Sequence, residues 1–321
     1  MSAAPDLLGR RLLFFTGKGG VGKSTVAAAM ALLAAERGKR VLVVEVDAKG
    51  NLPDAFEQDR VGFEPREVYP SVWAMAMRTE DSLKEYLRVN LRVPVLGRLG
   101  PLARVFDFVA TAAPGVREIL TVGKICWEVR ESIEGRADWD LVVVDAAATG
   151  HIVAQLDAPR AIQELVAVGV IRNQTEWLVD LLSDPEITAL SVVATPEEMP
   201  VSETIELVAR ARAELAVPLG AVIVNRVLPE LFTHSDEEVF EALREPGPTE
   251  ALAAQAGPGA PTVLEAARLA VSLRRSRAPH LARLRETVEL PTLFLPYLFV
   301  RDAGLRVTRM LADALADELG L

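Results

Sequence analysis

The segment Thr16-Gly17-Lys18-Gly19-Gly20-Val21-Gly22-Lys23-Ser24-Thr25 restricts the architecture more than any other stretch of the chain. Gly17, Gly22, Lys23 and Ser24 occupy the fixed places of the phosphate-binding pattern G-x-x-x-x-G-K-[ST]. Ahead of it, Arg11–Phe15 is a short apolar run that reads as a buried strand. Behind it, Lys23–Arg37, rich in Ala and Leu, reads as a helix. A glycine turn between strand and helix wraps backbone N–H groups around a polyphosphate, and the helix N-terminus adds positive potential. In that geometry Lys23 neutralises the β- and γ-phosphates and the Ser24 hydroxyl holds Mg²⁺. The bland alternative is a tight glycine turn with no ligand. The full motif between the right elements argues against it.

Lys18 narrows the reading, because an ordinary phosphate loop does not need it. Lysine is a compact charge on a long flexible stem, so at the start of the loop it can reach phosphates bound elsewhere, including those on a facing subunit. The run Lys18-Gly19-Gly20-Val21-Gly22-Lys23-Ser24-Thr25 resembles the deviant phosphate loop of the signature-lysine nucleotidases. That resemblance implies dimers that sandwich two nucleotides, with this lysine crossing the interface. By itself Lys18 would read as a solvated loop lysine.

Apolar strands alternate with helical stretches along the chain. Runs at Arg40–Val46, Val72–Met77, Leu141–Val144, Leu190–Ala194, Ala221–Val224 and Thr292–Leu295 read as strands. Near-continuous apolar strands separated by helices imply a mostly parallel sheet covered on both faces, an α/β doubly wound fold. Ligands of such sheets bind beyond the carboxyl ends of the strands, where every motif named here lies.

Two intervals break the alternation. Residues 79–136 carry helical pattern interrupted at Pro94, Pro101 and Pro114. Residues 155–188 repeat apolar faces through Ile162, Leu165 and Val166, then Leu178, Leu181 and Leu182. Both read as a helical subdomain inserted around the Leu141 strand of a single 1–321 domain. Its apolar residues include Val93, Val95, Leu96, Leu99, Leu102, Val105, Phe106, Phe108 and Val109. Core packing or a dimer interface is the first reading of them, and a groove for a client segment the second. Residues 245–261, rich in Pro, Gly and Ala, read as a mobile loop.

With 321 residues the chain suits one large α/β unit with a subdomain. Its 35 Lys and Arg against 45 Asp and Glu leave a net charge of −10. With no basic run, that balance argues against a nucleic-acid surface or an anionic membrane as main partner. Cys126 is the only cysteine, so neither a disulfide framework nor a Cys-x-x-Cys metal site is expected. Met1–Asp6 lacks a secretory pattern, and no apolar run is long enough to span a bilayer, so the expected location is cytoplasmic.

Further groups complete a candidate site. Asp47, in Val46-Asp47-Ala48-Lys49-Gly50-Asn51 just past the second strand, could align a water facing a γ-phosphate, or simply cap a turn. Asp145 ends the Leu141 strand, a place suited to a Mg²⁺-water ligand. Thr149, Gly150 and His151 follow as a loop able to sense the γ-phosphate; His151 reads equally as a structural histidine. Asn225 ends another strand and could read an adenine edge, although Asn is common in turns.

Taken together these pieces are similar to one family. The loop Phe15–Thr25, the run Asp145-Ala146-Ala147-Ala148-Thr149-Gly150-His151, Ser202-Glu203-Thr204-Ile205-Glu206-Leu207 and Val224-Asn225 resemble the arsenical-pump-driving and tail-anchored-protein-targeting ATPases. The likeness is to the bacterial anion-transporting members of this P-loop NTPase group. It implies a homodimer that binds Mg²⁺ and ATP and opens and closes with hydrolysis. It gives Asp47 the water-activating role, Asp145 the Mg²⁺-linked switch role and Lys18 the role in trans. Asn51, Glu203 and Asn225 become nucleotide contacts beside Gly17, Lys18, Gly19, Gly20, Val21, Gly22, Lys23, Ser24 and Thr25. Ala48 and Lys49 stand where the family has Pro-Ala, and Ala146 and Ala148 where it has Thr and Pro. One cysteine weighs against an arsenite role and against the zinc that bridges eukaryotic targeting members, so no zinc is expected.

Three functions compete. The first is an ATPase that couples turnover to a dimer change and so to a client, such as a hydrophobic segment of a membrane protein. The second is a spatial-positioning ATPase like the partition and septum-site proteins, which share the Lys18 loop but lack the Thr-Gly-His switch. The third, left open by Ala148, is a module that uses ATP to lock a complex and barely hydrolyses it. The C-terminal stretch Leu305–Leu321 is amphipathic through Leu305, Met310, Leu311, Leu315 and Leu319. Its Asp313, Asp317 and Glu318 distinguish it from a basic lipid-seeking helix.

Overall fold

The computed structural model describes residues 5–47, 51–78, 81, 82, 85, 116–133, 139–165, 170–243, 245–300 and 304–321. Its strands are β1 (Leu12–Thr16), β2 (Val41–Glu45), β3 (Arg66–Tyr69), β4 (Val72–Ala76), β5 (Leu141–Asp145), β6 (Thr188–Ala194), β7 (Leu219–Val227) and β8 (Thr292–Pro296). They form one sheet in the order β3-β4-β2-β5-β1-β6-β7-β8. Every neighbouring pair is parallel except β3–β4.

β1 lies inside the sheet, flanked by β5 and β6. Its apolar residues alternate between two cores, as a pleated strand covered on both faces requires. Leu13 and Phe15 join one layer, Leu12 and Phe14 the other. Val41 and Val43 against Leu42 and Val44, and Val143 against Val142 and Val144, repeat the division.

Helices α1 (Lys23–Glu36) and α10 (Leu305–Leu319) build the first layer. In α1 the nine residues Val26–Ala34 are all buried, five of them alanine, so the helix is apolar on every side. The small side chains let the sheet approach it on one side. On another, α10 supplies Leu311, Ala312, Leu315 and Leu319. Met310 is partly exposed at 38% and lies off this buried stripe. The short α2 (Asn51–Ala55) also touches α1, and the Thr308 hydroxyl of α10 donates to the Ala55 carbonyl at 2.8 Å.

On the opposite face, α3 (Val116–Ile133), α4 (Thr149–Leu165) and α5 (Val170–Ser183) pack on one another. Beside them lie α6 (Glu198–Glu214) and α9 (Ala260–Thr287). Leu178, Leu181 and Leu182 are buried in this layer, as their spacing predicts. Val166 and the whole apolar run Val93–Val109 lie outside the described residues. Among the described residues, no helix is long and apolar enough to cross a membrane.

Three differences from the sequence reading have physical causes. β3 carries no apolar run because it is an edge strand, with Arg66 and Glu67 exposed and only Val68 buried. The loop expected over 245–261 is instead largely helical: α8 (Pro246–Ala256) precedes the start of α9, and α7 (His234–Ala242) lies just before it. Pro246 sits where a helix tolerates proline, the following Thr-Glu-Ala-Leu-Ala-Ala run propagates it, and Gly257 at φ 93° ends it. Finally, Thr149, Gly150 and His151 form the first turn of α4 rather than a loop.

Leu315 is fully buried between α10 and the α1 layer. Leu315→Ala is expected to lower stability by about 2–5 kcal/mol in equilibrium urea unfolding. A loss under about 1 kcal/mol would mean that α10 does not clamp α1.

Candidate functional site

The carboxyl ends of β1, β2, β5, β6 and β7 converge on the turn between β1 and α1. Gly17 adopts φ 150°, and a Cβ there would collide with the Val193 carbonyl of β6. Gly22 caps α1 in the left-handed region at φ 93°, and a Cβ on it would strike the Asn225 amide. Both positions therefore require glycine, and the loop is moulded against its neighbours rather than free.

Asn225 is 5% exposed at the end of β7. Its Nδ2 donates to the Val21 carbonyl at 2.9 Å, and its Oδ1 accepts from the Arg226 N–H at 2.9 Å. In this structure the side chain clamps the phosphate loop from the side. Thr16, fully buried, does the same from below: its hydroxyl donates to the Ala147 carbonyl at 2.7 Å, tying β1 to the segment after Asp145.

The structure brings Ser24 and Asp145 together. The Ser24 Oγ donates to Asp145 Oδ2 at 2.5 Å. Burial pushes the Asp145 carboxyl up to about 6. The Ser24 hydrogen bond and the nearby Lys23 charge pull it down, while Glu45 and Asp47 push it up. Lys23, Glu45, Asp47 and Asp145 thus share one electrostatic neighbourhood. Glu45, 2% exposed and paired in register with Asp145, is a buried carboxylate that sequence reading passed over. Its signal was a charge closing the otherwise apolar β2 run.

A hydroxyl and a carboxylate beside a phosphate loop form a hard oxygen donor set that fits Mg²⁺. Among the described residues, no group of three or more His, Cys, Asp or Glu makes a protein cage for a metal.

Lys23 Nζ donates to the Lys18 carbonyl at 3.3 Å across the loop. Lys18 itself is held within its own chain: its Nζ lies 2.5 Å from Glu203 Oε1 on α6. The other oxygen of Glu203 accepts from the Thr149 hydroxyl at 3.2 Å. One carboxylate therefore links the loop lysine to the start of α4. Nothing in the sequence pairs Lys18 with Glu203, because the two are 185 residues apart.

Asp47 is exposed just beyond β2, and His151 is exposed on α4. Gly19 and Gly20 are exposed, Val21 is buried and Thr25 is half-buried. Residues 48–50 and the Asn51 side chain lie outside the described residues.

Asn225→Ala removes the lateral clamp on Val21. Nucleotide affinity, read by equilibrium titration, is expected to fall by roughly five- to thirtyfold, about 1–2 kcal/mol, with far-ultraviolet circular dichroism unchanged. Undiminished affinity would show that the loop holds its shape alone.

Comparison with known proteins agrees with this geometry. The family model described as anion-transporting ATPase matches residues 10–180 and 163–246. ATPase BagA of Mycobacterium tuberculosis is 36% identical over 229 residues, covering 70% of this chain and 67% of that relative. The arsenical pump-driving ATPase of Escherichia coli is 30% identical over 255 residues, and the chain spans only 41% of its length. The ATPase ASNA1 homolog of Entamoeba dispar is 26% identical over 256 residues, covering 68% of this chain and 76% of that relative. A phosphate loop moulded between β6 and β7, with Ser24 against Asp145, is thus found in a chain that belongs to the anion-transporting ATPase family and is an ATP hydrolase.

Proposed function

We propose that this ATPase works as a homodimer sandwiching two nucleotides, and that turnover drives a change of shape used to handle an apolar client segment. The observation that carries this reading is the Lys18–Glu203–Thr149 linkage. Lys18 reaches a facing phosphate only by leaving Glu203. Departure of the lysine frees both the Glu203 carboxylate and its hold on Thr149, so arrival of a partner's nucleotide is transmitted to the start of α4. A two-state element biased by a charge is what a nucleotide switch needs.

In this reading ATP lies along the loop Gly17–Thr25, with Glu203, Asn225 and Asn51 as further contacts. Ser24 and Asp145 would hold Mg²⁺, which would supply charge neutralisation of the phosphates. Lys23 offsets phosphate charge, Asp47 positions the attacking water, and Lys18 stabilises charge on the partner's nucleotide. The chain acts as one 1–321 domain in the cytoplasm. Of the intervals 79–136 and 155–188, the described helices α3, α4 and α5 would offer the client surface.

Arsenite is a poor fit as cargo. Cys126, the only cysteine, is fully buried in the layer with α3, and burial pushes its thiol pKa well up, so it is not an available soft ligand.

Lys18→Ala should reduce turnover by about a hundredfold while nucleotide affinity changes little. Unchanged phosphate release would remove the role in trans. Asp47→Asn should abolish turnover and retain nucleotide binding, measured by single-turnover phosphate release beside direct titration. If wild type itself binds ATP and releases no phosphate above background, the chain is a nucleotide-locked binding module instead.

A further inference from the structure

A cavity of about 390 Å³ lies between α9 and the segment that leaves β7. It lies in the helical layer on the face opposite α1. Asn225 turns toward Val21 of the loop, whereas Phe294, which lines the cavity, packs in the layer opposite α1. None of its lining residues belongs to the loop Gly17–Thr25 or is Asp47, Asp145, Glu203 or Asn225.

Its walls have two characters. Leu228, Leu231, Phe232 and Phe294 give it an apolar surface. Arg274, Arg275, Arg277 and Arg285 of α9 add guanidinium groups, and Glu237 is the one carboxylate among its lining residues. This is unusual in a chain of net charge −10. Some of that charge is already paired: Arg274 with Glu230 at 2.7 Å, Arg275 with Glu237, and Arg277 through Nη2 with Glu197 at 3.3 Å.

Among the described residues, one guanidinium nitrogen at the cavity is buried without a partner, and a second guanidinium, on exposed Arg285, pairs with no carboxylate. Nη1 of Arg277 is buried with no hydrogen-bond partner. A buried N–H of a charged group without an acceptor is costly, and native structures keep few of them. Arg285 has no carboxylate partner; its guanidinium stacks on the Phe294 ring, 4.6 Å from the centroid. Stacking leaves the edge of the fork open for two parallel hydrogen bonds to a carboxylate or phosphate.

We propose that this cavity binds an amphiphilic anion, an apolar chain or ring carrying a single carboxylate or phosphate, with its body against Leu228, Leu231 and Phe232 and its head on Arg277 and Arg285. The volume lies in the range of small-molecule sites. Neither half of such a ligand suffices. An inorganic anion leaves the apolar wall wet, and a neutral apolar molecule leaves the Arg277 N–H unmet.

The test uses the full chain and calorimetric titration with octanoate, octyl phosphate, 1-octanol and inorganic phosphate. Octanoate or octyl phosphate should bind at one per chain, at least about tenfold more tightly than 1-octanol or inorganic phosphate. The stronger of the two identifies the head group. Arg277→Gln should weaken that binding about tenfold or more and leave ATP affinity unchanged. Ala278→Trp, at an exposed position of α9 lining the cavity, keeps every arginine and fills the space. It should also abolish binding, and it serves as an independent variant if Arg277→Gln fails to fold. Wild-type binding no tighter than roughly 1 mM, or equal binding by the wild type and Ala278→Trp, would overturn the proposal.

Discussion

Burial of α1 is the constraint on which the rest depends. A helix apolar on every face is stable only if every face is covered, and here the sheet, α2 and α10 do so. Once α1 is fixed, its N-terminus cannot move relative to the end of β1. The turn Gly17–Gly22 then has little freedom, and Gly17 and Gly22 are used where β6 and Asn225 crowd it. A phosphate site built from backbone N–H groups needs this rigidity, because its donors must be aimed before the ligand arrives.

Around the fixed loop the polar groups divide into two kinds. Thr16 and Asn225 are buried and hold backbone, Thr16 to Ala147 and Asn225 to Val21. Asp145 and Glu203 instead hold side chains that a nucleotide would claim. Asp145 grips the Ser24 hydroxyl, and burial, with Glu45 and Asp47 beside it, works against its negative charge. A divalent cation at Ser24 would relieve that repulsion. Glu203 grips Lys18, a half-buried pair whose geometry favours attraction but which competes with solvent and incoming phosphate. Rigid backbone contacts with replaceable side-chain contacts are a sensible design for a site that must change state without losing its frame.

Much of this was legible in the sequence because it is local. The strand–glycine turn–helix around Lys23, the doubly wound parallel sheet and the place of Asp145 at the end of β5 follow from short patterns and from the rule that sites gather at strand carboxyl ends. Helix α10 was visible in its apolar spacing. Contacts between distant segments were not. No local pattern links Lys18 to Glu203 or Asn225 to Val21. β3 escaped notice because an edge strand with Arg66 and Glu67 exposed has no apolar run to read. Helix α8 was hidden by proline and glycine that lie at its ends, where they start and stop a helix rather than break it. The arginine-lined cavity arises only when α9 folds back over the end of β7.

The most direct test of the account is the solution mass of the purified chain, by light scattering, with Mg²⁺-ATP, with Mg²⁺-ADP and without nucleotide. If Lys18 leaves Glu203 to meet a partner's phosphate, the mass should rise to that of a dimer with Mg²⁺-ATP and Lys18→Ala should weaken that shift. A mass that stays that of a monomer in all three conditions while phosphate is still released would contradict the account and place catalysis within a single chain.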